Sequence, residues 1–367
     1  MKRYPSLDIF RGMTICLMII VNTQGDWGSA YEWLLHAPWH GFTPTDLVFP
    51  SFMFAVGNSL AFVLGKWKEK SFGQFMAKVS RRAIILFLLG FIMYWFPFVN
   101  WAEGGGVEFI PFSDTRIWGV LQRLAVGYFV GAIMVWYLKP KQIWIAGGIM
   151  LLAYWLIMYA FGDYSLENNA PRKLDVFLFG ASHLYMGEGI PFDPEGLLST
   201  LPAIVNVLGG YLLGNYIKQG EMNYEKLAKI LLVGCVLIFA AVCWHQVFPI
   251  NKKIWTSSYV LLTIGLDICI IAGIIYTLHF ITPPWKYGFF ETFGKNPLFI
   301  YLLSQYIAIF MFFFRVDGNT SVYRYVYQTI FEPIGPKIGS LVFSVTFMLL
   351  CWGVGKILDR KNIYIKV

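Results

Sequence analysis

The segment DWGSAYEWLLHAPWHGFTPTDLVFPSFMFAVGNS brings His36, His40 and Asp46 within ten residues of one another. Neutral imidazole suits proton transfer near neutral pH, so this stretch is a candidate for a general base or a nucleophile. His36 and His40 are four apart, which on a helix puts them on one face. Zinc ligation is disfavoured, because no third ligand of standard spacing follows and Pro38 interrupts the turn. The bland alternative is a pair of interfacial histidines.

Four further clusters are polar where their surroundings are apolar. In GVLQRLAVGY, Gln122 and Arg123 sit in an apolar run, where a charge is costly and usually faces a cavity or a partner. An ion pair with Asp267 is the structural alternative. GIPFDPEGLLST carries Asp193 and Glu195 at a helix start, which complements the helix dipole or holds an amine or sugar hydroxyls. INKKIWTSSYV supplies Asn251, Lys252, Trp255, Ser258 and Tyr259, a polar set with an aromatic cap or ordinary interfacial residues. In GKNPLFIYLLSQY, Asn296 precedes Pro297, as a helix cap or as a helix N-terminus presented to a phosphate. No P-loop or zincin motif is present, and the glycines at 104–106 lack a strand–helix context.

The elements that must position these groups are membrane helices. Of 367 residues, 57% are hydrophobic and only 14% are charged, with a mean hydropathy of +0.59. About 209 apolar residues fill about ten spans of about 20 residues each. Blocked rather than alternating apolar residues argue against a β-barrel, and the composition excludes a soluble enzyme, a disordered chain and a disulfide scaffold. The fold class is therefore an all-α polytopic membrane protein, one transmembrane domain over residues 1–367. Spans are expected at 12–24, 44–65, 83–99, 117–138, 142–161, 199–217, 229–247, 257–280, 297–314 and 338–355. The longest non-apolar stretch is 162–198.

With the N-terminus in the cytoplasm, 20 of the 29 Lys and Arg fall on cytoplasmic segments, among them Lys2, Arg3, Lys66, Lys70, Lys286 and Lys366. That bias places both termini inside and accounts for the net charge of +8 without a nucleic-acid partner. The start MKRYPSLDIFRG reads as an uncleaved first span rather than a signal peptide. Five cysteines in apolar runs are expected to be small core residues. Trp27, Tyr31, Trp33, Trp39, Trp101, Trp118 and Trp255 are expected as belt anchors near the outer interface. The first span stands out, because only 14 uncharged residues separate Arg11 from Asp26. The irregular segment after it predicts a cavity open to the outer side, with His36 or His40 at its wall.

The strings LDIFRG, LLHAPWHGFTPTDLVFPSFMFAVGNS, GVLQRLAVGYF, FDPEGLLST, INKKIWTSSYV and GKNPLFIY, in this order, resemble the heparan-α-glucosaminide N-acetyltransferase family over nearly the whole chain. The chain looks like a compact bacterial-type member, without the extra N-terminal span and luminal domain of the animal enzyme. The resemblance implies transfer of acetyl from cytosolic acetyl-CoA, without a metal, to the amine of a glucosamine-type sugar across a bacterial inner membrane. His36 matches the family's catalytic histidine in HAxWxGxTxxDLVFP, whereas His40 falls where the animal enzyme has no histidine. Asn22 matches a family asparagine upstream, across a longer spacing, and would orient the imidazole or donate to the acetyl oxygen. Within that reading, Asp193, Glu195 and the 251–259 set bind the sugar, while Gln122, Arg123 and Asn296 contact CoA. A homodimer is compatible with the resemblance. An amino-sugar permease and an O-acetyltransferase of a surface glycan are the competing functions.

Overall fold

The computed structural model describes residues 4–69, 71–102, 106–281 and 288–365, and leaves the side chain of Lys66 undescribed. Lys2, Arg3, Lys70, Gly104, Gly105, Lys286 and Lys366 lie outside the described residues. In chain order the helices are α1 (Pro5–Asn22), α2 (Val48–Lys68), α3 (Phe72–Trp95), α4 (Val120–Tyr137), α5 (Pro140–Phe161), α6 (Ala170–Phe179), α7 (Thr200–Lys218), α8 (Tyr224–His245), α9 (Ser257–Tyr276), α10 (Gly288–Lys295), α11 (Pro297–Phe313), α12 (Val322–Val326) and α13 (Pro336–Arg360). A short hairpin, β1 (Val99–Trp101) with β2 (Val107–Phe109), follows α3, Asn100 facing Glu108.

Each of the ten expected segments carries a helix. Among the described residues, seven helices are long and apolar enough to cross a membrane, and an eighth if α10 and α11, bent by 84°, act as one broken span. Helices α3 and α7 are not among them. Several boundaries move. The first helix is not cramped, because it begins at Pro5 and takes Asp8 and Arg11 inside itself. At 1.5 Å per residue its 18 residues run about 27 Å. Arg11 is accommodated because it donates to Asp8, to the Gly294 carbonyl and to Ser59. Helix α3 likewise includes Lys78, Arg81 and Arg82, and it stops at Trp95, so the end of the expected 83–99 span is loop and hairpin. The 162–198 stretch holds α6.

The inner helices are α1, α2, α7 and α9. Gly57 and Gly210 let α2 and α7 meet backbone to backbone: a Cβ at Gly57 would lie 1.8 Å from the Val207 carbonyl, and one at Gly210 would lie 1.9 Å from that of Phe54. Of the apolar stretch 44–65 on α2, 72% is buried, against 28% for α5 and for α8. The outer pair therefore offers its apolar flank to lipid. Cys235 and Cys243 lie on that exposed flank of α8 and are not core residues, whereas Cys16 and Cys351 are buried. Trp118 and Trp255 are buried and do not serve as belt residues, while Trp27, Trp33 and Trp101 are exposed.

The connections gather at two opposite ends. One end collects 23–47, 96–102, 106–119, 162–199, 246–256 and 314–335, tied together by bonds such as Trp39 to the Tyr164 carbonyl and Lys253 to Glu188. The other end holds the start of α1, the α10–α11 bend and the C-terminal segment, joined by Lys295 to Asp359.

Candidate active site

The chain between α1 and α2 does not form a regular helix around the two histidines. It folds as short turns over Trp27–Ser29, Glu32–Leu34 and Pro44–Leu47. Asp46 organises it. Its Oδ2 accepts from the amides of Ala37 (3.2 Å) and Thr43 (2.9 Å) and from the Thr43 hydroxyl (3.2 Å). Its Oδ1 lies 2.7 Å from His36 Nδ1. A carboxylate with that many donors is ionised, so the proton of the neutral ring is assigned to Nδ1, which leaves Nε2 with its lone pair. Tyr259 holds the same segment from below, its hydroxyl donating to the Asp46 carbonyl at 2.6 Å.

The pair is asymmetric. The Asp46 side chain is 1% exposed and that of His36 40%. Asp46 thus anchors the imidazole in the protein while the rest of the ring is partly exposed. Lys252 Nζ approaches Nε2 at 3.0 Å. Burial and the Lys252 charge together hold the His36 pKa below the ordinary histidine value, against the pull of Asp46. Burial also lowers the Lys252 pKa, opposed by Glu195 and Asp46.

Beside this pair lies an ion cluster that only folding assembles. Arg116 forks onto Asp193 through Nε (2.8 Å) and a terminal nitrogen (2.6 Å), and that nitrogen also reaches Glu195 Oε2 at 2.8 Å. The Tyr94 and Tyr185 rings flank the guanidinium at 4.6 and 4.9 Å. Burial raises the Asp193 pKa despite Arg116. Burial alone would raise Glu195, but Arg116, Lys252 and Arg123 hold it below the ordinary range. Arg123 completes the group by bonding to the Gly196 carbonyl and to Ser199, and it lies 4.6 Å over the Trp255 ring.

The expected residues therefore divide. His36 and Lys252 meet, with Glu195 in electrostatic reach of both. Asn251, Trp255, Ser258 and Tyr259 are buried and occupied internally, not held out to a ligand. Asn251 bonds the Ile254 amide and approaches His40, Trp255 donates to Asn206, and Ser258 donates to the Phe248 carbonyl. His40 is held by Asn251, and among the described residues no group of three metal-ligating side chains occurs. Asn22, the last residue of α1, is exposed, and its side chain has no hydrogen-bond partner among the described residues.

The three residues expected to contact CoA are split. Gln122 and Arg123 lie at the start of α4, by the His36 end, with the Gln122 amide buried and unbonded. Asn296 is at the opposite end, where it clasps the C-terminal segment, donating to the Ile363 carbonyl and accepting from the Ile365 amide. One ligand phosphate cannot touch all three. The suggested Arg123–Asp267 pair does not form either, since Asp267 accepts from Ser51. Sequence reasoning gave no role to Asp46 or Arg116. The signal for Arg116 was available: two acidic residues at a helix start require a nearby cation once buried.

The pattern of the family described as heparan-alpha-glucosaminide N-acetyltransferase, catalytic, matches residues 3–247. The chain belongs to this family. Two relatives named heparan-alpha-glucosaminide N-acetyltransferase are similar along most of it. The human protein is 26% identical over 427 residues, covering 100% of this chain and 60% of its own length. The mouse protein is 25% identical over 387 residues, covering 90% of this chain and 57% of its own length. The family match includes the whole 23–47 loop, Arg116, Asp193 and Glu195, but stops short of Lys252 and Asn296.

Proposed function

We propose that the chain is a transmembrane acetyltransferase that moves acetyl from acetyl-CoA to the amine of a glucosamine-type sugar. The carrying observation is the His36–Asp46 pair, anchored on its buried side with Lys252 at Nε2, in a chain that belongs to this family. In this reading His36 Nε2 takes the proton of the acceptor amine as the amine nitrogen attacks the thioester carbonyl. The N–C bond forms, the C–S bond breaks and the thiolate leaves. The alternative order has Nε2 accept the acetyl group first and pass it on. Asp46 keeps the ring in the productive tautomer and stabilises the imidazolium that forms. Glu195 gives one oxygen to Arg116 and offers the other to the acceptor, with Asp193 as its support. Asn22, the exposed last residue of α1, would donate to the acetyl oxygen or orient the imidazole. A Lys252 ammonium on Nε2 occupies the place an acceptor ammonium would take, and must move aside for catalysis.

The same proposal includes ten spans in one unit over 1–367 with both termini cytoplasmic, in a bacterial inner membrane, and the His36 end outside. The basic bias supports that orientation.

Purified protein in liposomes supplied with labelled acetyl-CoA and glucosamine tests the reading. N-acetylglucosamine is the expected product. Uptake of unmodified amino sugar without transfer would favour the permease, and acetate on a hydroxyl would favour the O-acetyltransferase.

A further inference from the structure

A second cavity lies at the His36 end, among groups that the site above does not use. It measures about 360 Å³ and is bordered by Asp26, Trp27, Phe312, Arg324, Gln328 and Glu332, among others. The chain that follows α1, the end of α11 and the turns before α13 build it. Its floor is fixed. Tyr323 donates to the Gln24 carbonyl at 2.7 Å, and Tyr327 donates to the Pro336 carbonyl at 3.1 Å. Ser340 holds the Asp26 backbone at both its amide and its carbonyl, each at 3.1 Å. Gly25 packs so closely against Tyr327 that a Cβ there would lie 2.3 Å from the ring.

Two kinds of surface rise from this floor. The first is aromatic. The rings of Phe312, Tyr323 and Trp27 run nearly parallel, with Phe312 4.1 Å from Tyr323 at 17° and Trp27 6.2 Å from it at 15°. Trp27 is 44% exposed and Phe312 46%, so the outer rings of the stack keep free surface. The second surface is polar and uncommitted. Among the described residues, the side chains of Arg324, Gln328 and Glu332 make no hydrogen bond or ion pair, and that of Asp26 accepts only from the Gly28 amide. Burial raises the Tyr327 pKa, and the Asp26 and Glu332 charges raise it further, so both carboxylates act on the same corner of the cavity. Two carboxylates against one guanidinium leave the lining with one negative charge in excess.

These surfaces specify a ligand. An open aromatic face takes the apolar face of a pyranose ring and attracts a cation placed over it. Carboxylate, amide and guanidinium groups around it take hydroxyls, and the excess negative charge selects an ammonium. The space equals about twelve waters of the liquid, the size of one sugar ring. An amino sugar meets all three requirements.

We propose that this cavity is an amino-sugar subsite, holding a unit of an acceptor oligosaccharide beyond the one that is acetylated. Its place in the acceptor site rests on the acetyltransferase reading; the sugar site itself does not. Asp26 follows Asn22 by four residues, at most about 14 Å of extended chain. A short oligosaccharide lying across Asn22 would therefore occupy the cavity with one unit and extend toward His36 with another. The substrate class that follows is an oligomer with repeated amino groups, in preference to free glucosamine. The ammonium of a lipid headgroup shares part of this chemistry, and the test separates the two.

Binding of glucosamine, of the β-1,4-linked glucosamine tetramer and of the fully N-acetylated tetramer is measured by titration calorimetry. The purified full chain is held in a polyethylene-glycol-ether detergent, which carries no sugar. The glucosamine tetramer should bind at least tenfold tighter than glucosamine, and the N-acetylated tetramer should bind more weakly than the free amine form. Trp27→Ala and Glu332→Gln should each weaken the glucosamine tetramer at least fivefold, and Trp27→Phe, which keeps a ring, should fall between. Glu332→Gln should melt with wild type, because its carboxylate bonds nothing in the fold. Unchanged tetramer affinity in either Trp27→Ala or Glu332→Gln, or equal affinity for the N-acetylated tetramer, would overturn the subsite. An amine-bearing phospholipid that copurifies with wild type and is lost in Glu332→Gln would overturn the sugar assignment. Two further results keep the proposals distinguishable. Tetramer binding that depends on Trp27 and Glu332 without any acetyl transfer would sink the enzyme reading and leave the subsite. Acetyl transfer with the same KM for the tetramer in wild type and both variants would sink the subsite and leave the enzyme.

Discussion

The two ends of the molecule both bury arginine, but they balance it differently. At the His36 end, Asp46, Asp193 and Glu195 face Arg116, Arg123 and Lys252, with the buried Asp175 beside Asp193 and Arg123. At the other end Arg11 pairs with Asp8, and Arg82 lies over the Tyr128 ring. The difference teaches where each end obtains its order. Charges that bond one another are ordered before any substrate arrives, and such preorganisation suits chemistry.

The comparison breaks first at His36. Replacing it by alanine should lower kcat/KM for acetyl transfer by about 10³-fold while the protein still folds, since base or nucleophile is lost but the Asp46 network to Thr43 and Ala37 stays. Full transfer by that variant would remove the histidine from its role. Asp46→Asn should cost about 10²-fold in kcat, because an amide can present its N–H to Nδ1 and reverse the tautomer. It should also melt lower, having lost the anion that three donors address. Loss of stability alone, with kcat intact, would make Asp46 a merely structural residue.

Arg116 tests whether the His36 end is balanced by design. Arg116→Met strands Asp193 and Glu195 and should destabilise by about 3 to 5 kcal/mol, read as a lower melting temperature in detergent. Its equivalent at the other end, Arg82→Gln, should not destabilise at all. Equal losses at both ends would erase the contrast.

The pH profile sharpens the role of Lys252. Activity that needs neutral His36 should rise with pH and level off, with an acid limb below the ordinary histidine value, because burial and Lys252 lower that pKa. Lys252→Met removes a cation that favours the neutral ring, so the limb should move to higher pH. A limb that stays in place would show that Lys252 does not govern the titration. The smallest effect belongs to Cys235→Ala on the exposed face of α8, expected within about 0.5 kcal/mol of wild type.

The helices themselves were legible in the sequence because apolar blocks of spanning length leave the backbone one way to satisfy its hydrogen bonds. Their ends were less legible. Arg11 looks like the edge of a span only until Ser59 and the Gly294 carbonyl supply its partners, and neither is near it in sequence. The same holds for Lys78, Arg81 and Arg82, which read as a loop and lie in α3. At the site, His36 stood out in its motif, whereas the partners of Arg123 did not. Its type was informative but its depth along α4 was not, and only the contacts with Ser199 and Trp255 place it.

By itself, then, the sequence determined the class of solvent around this protein, the segments in which its long helices form and the loop that carries His36. These follow from local composition and from one contiguous motif. Tertiary structure alone decided which charges are spent on one another. Arg116 meets Asp193 across 77 residues, and Lys252 meets His36 across 216. Such pairings depend on where helices end and how closely α2 and α7 approach, and electrostatic energy at a few ångströms in a poorly polarisable interior changes steeply with those positions.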